Sequence, residues 1–208
     1  MASKTGLIQQ TRARFHRETG FSIIELMVVL TILSILSMAA VMGYRRYIMR
    51  GKSMEALHML ADIGMKQAMY FSLYGQYIDT NQTGATSHTE APSAGPPGAT
   101  AQGFYPASIS GGNKDWSISC PVANPNDYPA AGWCALGFRP SSNTVNYQYI
   151  TVGWAPGESG APSSHYIADP SRQWWYAIAR GDLDNNGLYS TFVFSSEVSA
   201  IWSINPNQ

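Results

Sequence analysis

The polarity of the chain changes abruptly near its start. Residues 1–20 are polar and basic, with Lys4, Arg12, Arg14 and Arg17 against one acid, Glu18. From Phe21 to Met42 the sequence is almost wholly apolar, FSIIELMVVLTILSILSMAAVM. As a helix those twenty-two residues would extend about 33 Å, enough to cross the hydrocarbon core of a bilayer. Beyond Gly43 a helical period takes over. Met54, Leu57, Ala61, Gly64, Ala68 and Phe71 recur three and four apart, which predicts one buried stripe of a stem helix over residues 44–78. Leu60, Ile63 and Tyr70 lie outside that stripe and widen the apolar surface. No proline interrupts residues 21–78, so apolar segment and stem are predicted to form one long helix, with Gly43 as a soft point and Gly75 near its end.

The pattern then loses its period. Residues 79–103 are rich in Thr, Ala, Gly and Pro, with almost no large apolar side chain, and read as a variable loop. From residue 104 to 208 short runs of strand character alternate with turn residues: Trp116–Cys120, Ala135–Arg139, Tyr147–Trp154, Gln173–Arg180 and Tyr189–Ser196. Closely spaced strands argue for an antiparallel sheet. With the long helix covering one face, the predicted fold class is α+β.

Composition sharpens this picture. Only 12 % of residues are charged, about half the usual share of a soluble domain, while 6 Trp, 12 Tyr and 7 Phe suit a β-rich head. The net charge of zero gives no pull towards nucleic acid. There is no phosphate-cradling glycine loop and no HExxH helix, and Ser163, His165 and Asp169 lack a nucleophile-elbow context. An enzyme is therefore not expected.

One residue breaks the apolar run. Glu25 lies near its start, and a carboxylate inside a membrane segment costs about 2.5–3.5 kcal/mol at the helix centre and less near an edge. A plain anchor has no use for it. The string Gly20-Phe21-Ser22-Ile23-Ile24-Glu25-Leu26, preceded by basic residues and followed by the apolar helix, resembles the prepilin cleavage motif of type IV pilins and type II secretion pseudopilins. The resemblance covers roughly residues 12–78. It implies that residues 1–20 are a leader removed by an inner-membrane prepilin peptidase, which cuts between Gly20 and Phe21 and methylates the new amine. Glu25 would then meet the terminal amine of a neighbouring subunit, because a buried charge needs a partner.

The expectations that follow are a long helix on an antiparallel sheet, an inner-membrane precursor pool and a cell-surface pilus. The implied partners are other copies, minor pilins, the prepilin peptidase and the pilus assembly platform. Adhesion or twitching motility would be the role, with a pseudopilin of a type II secretion system as the alternative reading. A membrane-anchored protein that never polymerises is the third. Many relatives have a proline near the end of the apolar run, where this chain has Met42 and Gly43, so a fixed kink is not expected.

Two features of the head carry further expectations. Cys120 and Cys134 bracket a proline-rich loop and in an oxidising periplasm should form a disulfide. The run from Gly181 to Ser190 resembles the first part of an EF-hand-type loop, with Asp182, Asp184, Asn186, the Leu188 carbonyl and Ser190 as candidate calcium ligands. The Glu expected to close such a loop is replaced by Val193. Asp, Asn and Gly are also ordinary hairpin residues, so plain turn and weak calcium loop both stand. No other cofactor is expected.

Overall fold

A computed structural model of the chain describes residues 20–80, 104–107, 113–124, 129–154, 167, 169 and 171–206. The elements in order are helix α1 (Ile23–Tyr74), strand β1 (Lys114–Asp115), helix α2 (Ala130–Leu136), and strands β2 (Thr144–Val145), β3 (Gln148–Trp154), β4 (Trp174–Gly181), β5 (Ser190–Ser195) and β6 (Trp202–Ile204). The chain divides into two units, residues 1–43 and 44–208, and α1 contributes to both.

The second unit is an α+β fold. Strands β3, β4, β5 and β6 form a four-stranded antiparallel meander, and β1 pairs with β2 beside it. The long register runs from Gln148 opposite Arg180 to Trp154 opposite Trp174. Side chains alternate across the sheet. Tyr149, Trp175, Ala177, Ala179 and Phe192 join Ala56, Leu60 and Ile63 of α1 in one core, to which α2 adds Trp133 and Leu136. Ile150, Val152, Trp174, Tyr176, Ile178 and Val193 build a second core with Phe104 and Ile167. Strand β4 is thus buried along its whole length, which explains why its sequence, WWYAIARG, shows no polar alternation.

Several sequence expectations need correction. The stem helix ends at Tyr74 rather than 78, because Gly75 turns left-handed at φ 70° and stops it. The buried stripe is Ser53, Ala56, Met59, Leu60, Ile63, Gly64 and Gln67. Met54, Ala61 and Ala68 of the predicted stripe are exposed. The true face is rotated by one residue, about 100°, because Ser53 and Gln67 are polar and read as outward. Both are buried because they have partners: the Ser53 hydroxyl donates to the Pro206 carbonyl (2.8 Å), and Gln67 bridges to Ile78 and Thr151.

Ala135–Arg139 is not a strand. Its first two residues finish α2, and Gly137 at φ 68° caps that helix. The Phe138 N–H reaches the Trp133 carbonyl at 3.2 Å while the two rings meet at 5.2 Å, the hydrogen bond and apolar contact that close a helix C-terminus. Trp116–Cys120 is extended and alternates in burial like a strand, Trp116 and Ile118 inward, Ser117 and Ser119 outward. Among the described residues it has no ladder of its own, and only the Trp116 N–H bonds backbone, to Asn143. The expected loop at 79–103 lies outside the described residues apart from Asp79 and Thr80, and both of those are buried.

Candidate assembly site on the N-terminal helix

In the first unit, α1 begins at Ile23, and the first backbone bond of its entry runs from the Leu26 N–H to the Ser22 carbonyl. No apolar stripe can be drawn on it. Phe21, Ile24, Leu30, Ile35, Met38 and Met42 are all exposed, Phe21 at 79 % and Ile35 at 71 %. A helix that is apolar all round needs apolar surroundings on every side. Within α1 the best window has a mean hydropathy of 2.4, so the helix is long and apolar enough to cross a membrane. Two of its hydroxyls are satisfied internally. Thr31 donates to the Val28 carbonyl and Ser34 to the Leu30 carbonyl, both at 2.8 Å, which hides their polarity from lipid or a packed neighbour.

Glu25 is therefore the odd side chain of this segment. It sits in the first turn of α1, where the helix dipole favours an acid. Among the described residues nothing hydrogen-bonds or ion-pairs with it. Phe21 lies four positions upstream, within one helical turn. Gly20 is exposed, and a Cβ built on it would meet nothing within 4 Å. The folded chain itself does not require glycine there, so any demand for it comes from outside the fold.

The remaining candidates fall in the second unit. Cys120 and Cys134 are joined by a disulfide, with Cα atoms 5.5 Å apart, tying the extended segment after Ile118 to α2. Asp182, Asp184 and Asn186 come together in the β4–β5 connection. There the Asp182 carboxylate accepts the N–H groups of Asn186 (3.1 Å) and Gly187 (3.0 Å). The Asn186 side chain accepts from the Leu188 N–H and donates to Asp184. Asn185 at φ 59° and Gly187 at φ 82° complete the reversal. Ser190 has been drawn into the sheet, where its hydroxyl meets Tyr147 at 2.8 Å. As folded, the Asp182, Asp184 and Asn186 side-chain oxygens accept from the turn's own donors. No cluster of three or more His, Cys, Asp or Glu occurs among the described residues. Of the three residues set aside as a triad, Ser163 and His165 lie outside the described residues. Asp169 holds Ser171 through its N–H and its hydroxyl, which lowers its carboxyl pKa.

Sequence reading missed two residues that fasten α1 to the sheet. The Glu55 carboxylate accepts the Asn146 N–H at 2.8 Å and its side-chain amide at 2.5 Å, with the Tyr149 hydroxyl at 3.4 Å. Burial first, and the Glu55 charge second, push the Tyr149 hydroxyl well above its usual pKa. The Gln67 amide donates to the Ile78 carbonyl (2.7 Å) and Thr151 hydroxyl (2.8 Å), while its oxygen accepts the Ile78 N–H (3.1 Å). Their one signal in the sequence was polarity at positions where a helical stripe would otherwise be continuous.

Comparison with known proteins bears on the segment directly. Residues 15–41 match the model of the prokaryotic N-terminal methylation motif. The chain is also similar to the type IV major pilin protein PilA of Myxococcus xanthus (strain DK1622), 28 % identical over 197 residues that cover 88 % of this chain and 82 % of that protein. No solved structure matches. The motif, the similarity running into the head and the long helix beside an antiparallel sheet make this chain similar to type IV pilins.

Proposed function

We propose that the chain is a structural subunit of a type IV pilus, made as an inner-membrane precursor, cut after Gly20, methylated on Phe21 and polymerised through its N-terminal helix. The observation that carries this reading is Glu25, the one ionisable side chain between Phe21 and Tyr44. Removal of residues 1–20 would create a charged amine at Phe21 beside an exposed apolar surface. In a bundle of such helices both charges leave water, and each needs the other. A carboxylate one turn from the amine meets the amine of an adjacent copy only at a defined axial offset, so Glu25 sets register as well as neutrality. In the precursor pool residues 21–43 would span the membrane. In the filament the same residues would form its interior, with residues 44–208 outside. Adhesion or twitching motility is the role this assembly would serve.

The test is Glu25→Ala expressed in cells lacking the wild-type chain. Processing and membrane insertion should be unchanged, and sheared surface filaments should fall at least tenfold, about 1.4 kcal/mol or more per subunit contact. Undiminished filament yield would rule out the pairing. Mass spectrometry of the mature chain should show a methylated Phe21 at its start, whereas an intact Met1 would remove the prepilin reading. We further propose that residues 181–190 serve as a hairpin turn. Adding calcium should then leave the melting temperature of the head unchanged.

A further inference from the structure

The residues that follow the apolar run are Tyr44, Arg45, Arg46, Tyr47, Ile48, Met49 and Arg50. Tyr44, Arg45, Arg46, Tyr47 and Arg50 are exposed. Helical spacing aligns Arg45 with Met49 and Arg46 with Arg50, each pair four apart. Arg45, Arg46, Met49 and Arg50 line a cleft of about 350 Å³, within the usual range of small-ligand sites, roughly 300–1,000 Å³. None of the three arginines has an ion-pair partner among the described residues. No acidic residue occurs between Glu25 and Glu55, and Glu55 is already engaged with Asn146. Like charges four apart on a helix repel, and among the described residues no acid offsets them, so the cluster is suited to an anionic ligand.

Position identifies that anion. The cluster starts two residues after Gly43, so in a helix that spans a bilayer it lies at headgroup depth. Tyr44 and Tyr47 are the aromatic residues that favour that layer. Arginine forks match phosphate oxygens two at a time. Beyond the apolar run, no other described part of α1 combines exposed tyrosines with unpaired arginines. Resting on the reading that residues 21–43 span the membrane, we propose that Arg45, Arg46 and Arg50, flanked by Tyr44 and Tyr47, bind the phosphates of membrane phospholipids, with preference for anionic headgroups. The site moors the membrane-inserted subunit at its outer end, and these contacts must be released when a subunit leaves the bilayer. Removal of the leader enhances the asymmetry, since Lys4, Arg12, Arg14 and Arg17 go with it and the arginine cluster then dominates the charge next to the segment.

The test uses the full chain and an Arg45→Gln/Arg46→Gln/Arg50→Gln variant in vesicles of equal parts phosphatidylcholine and phosphatidylglycerol. Each protein is extracted in mild detergent, and retained phospholipid is counted by mass spectrometry. The wild type should keep phosphatidylglycerol over phosphatidylcholine, and the variant should lose this retention at least about tenfold, while both resist removal from vesicles by alkaline carbonate. Equal retention by the two proteins would overturn the proposal. So would displacement of the lipid by inorganic phosphate, which assigns the site to free anion, or by short duplex DNA, which assigns it to nucleic acid. Release of both proteins by carbonate would instead overturn the membrane reading, and this one with it.

Discussion

The two halves of α1 differ in how they satisfy their side chains. Between Phe21 and Met42 every large apolar residue is exposed, the Thr31 and Ser34 hydroxyls turn back on their own helix, and Glu25 has no partner among the described residues. Between Ser53 and Gln67 the helix has a buried face, and its polar residues are fastened at long range, Ser53 to Pro206, Glu55 to Asn146 and Gln67 to Thr151. The same backbone conformation therefore serves two different purposes. The second half is stabilised by its own chain. The first half exposes apolar surface that the described part of its own chain leaves uncovered.

This contrast can be tested by substitution and by pH. The largest effect is expected from opening the disulfide in the second unit. Cys120→Ser/Cys134→Ser removes a link with a sequence separation of 14 and should destabilise the head by about 3 kcal/mol in urea unfolding. Gly153→Ala comes next. Its Cβ would lie 2.7 Å from the Tyr77 Cβ and 2.8 Å from the Tyr77 carbonyl carbon, and backbone cannot yield cheaply, so a loss of about 2–3 kcal/mol is expected.

A smaller effect should appear in alkali. Burial raises the Tyr149 hydroxyl pKa well above its usual value of 10.0, so the folded chain holds this proton more tightly than the unfolded chain does. The stability linked to it is whole below about pH 10 and is lost as pH rises through the folded value. Tyr149→Phe should flatten the fall of the urea midpoint above that pH, and phenolate absorbance should show one fewer late-titrating tyrosine. The smallest effect is expected in the N-terminal half of the helix. A Cβ at Gly43 meets nothing within 4 Å, so Gly43→Ala should leave the head's melting temperature unchanged and raise helicity in micelles by about 0.5–1 kcal/mol. Destabilisation of the head by Gly43→Ala would show that the two halves are not independent.

Legibility in the sequence followed the same divide. The apolar run and Glu25 could be read directly, because a helix without a protein environment is described by its own composition. The three strands between Tyr147 and Ser196 could be read because β-branched and aromatic residues cluster between turns, and the structure departs by at most a residue at each end, but the short β6 was missed. The buried face of the stem could not. Hydrophobic counting placed Leu60 and Ile63 at the margin and Met54 and Ala61 at the centre, since nothing local reveals that Gln67 will find Thr151, 84 residues away. Helix α2 was missed for a related reason. Ala, Gly, Trp and Cys in seven residues show no clear period, and only the positive φ of Gly137 and the pocket for Trp133 decide the conformation. For the candidate site, Gly20, Phe21 and Glu25 stand out in the sequence by resemblance to a motif, while the partners of Glu55 and Gln67 required coordinates.

Two glycines have a consequence for how this molecule can diversify. A side chain on Gly153 would strike Tyr77 and Ile78, and one on Gly132 would strike Thr80 and Asp79, so the four residues leaving the stem run through a lane that admits bare backbone alone. Thr80 is stitched to Thr151 at the far end of that lane. Thr80 is therefore a fixed point, and the chain is held again from Phe104, which lies in the second core. One residue inserted between Tyr77 and Thr80 would jam this passage, so the exit from the stem must keep its length.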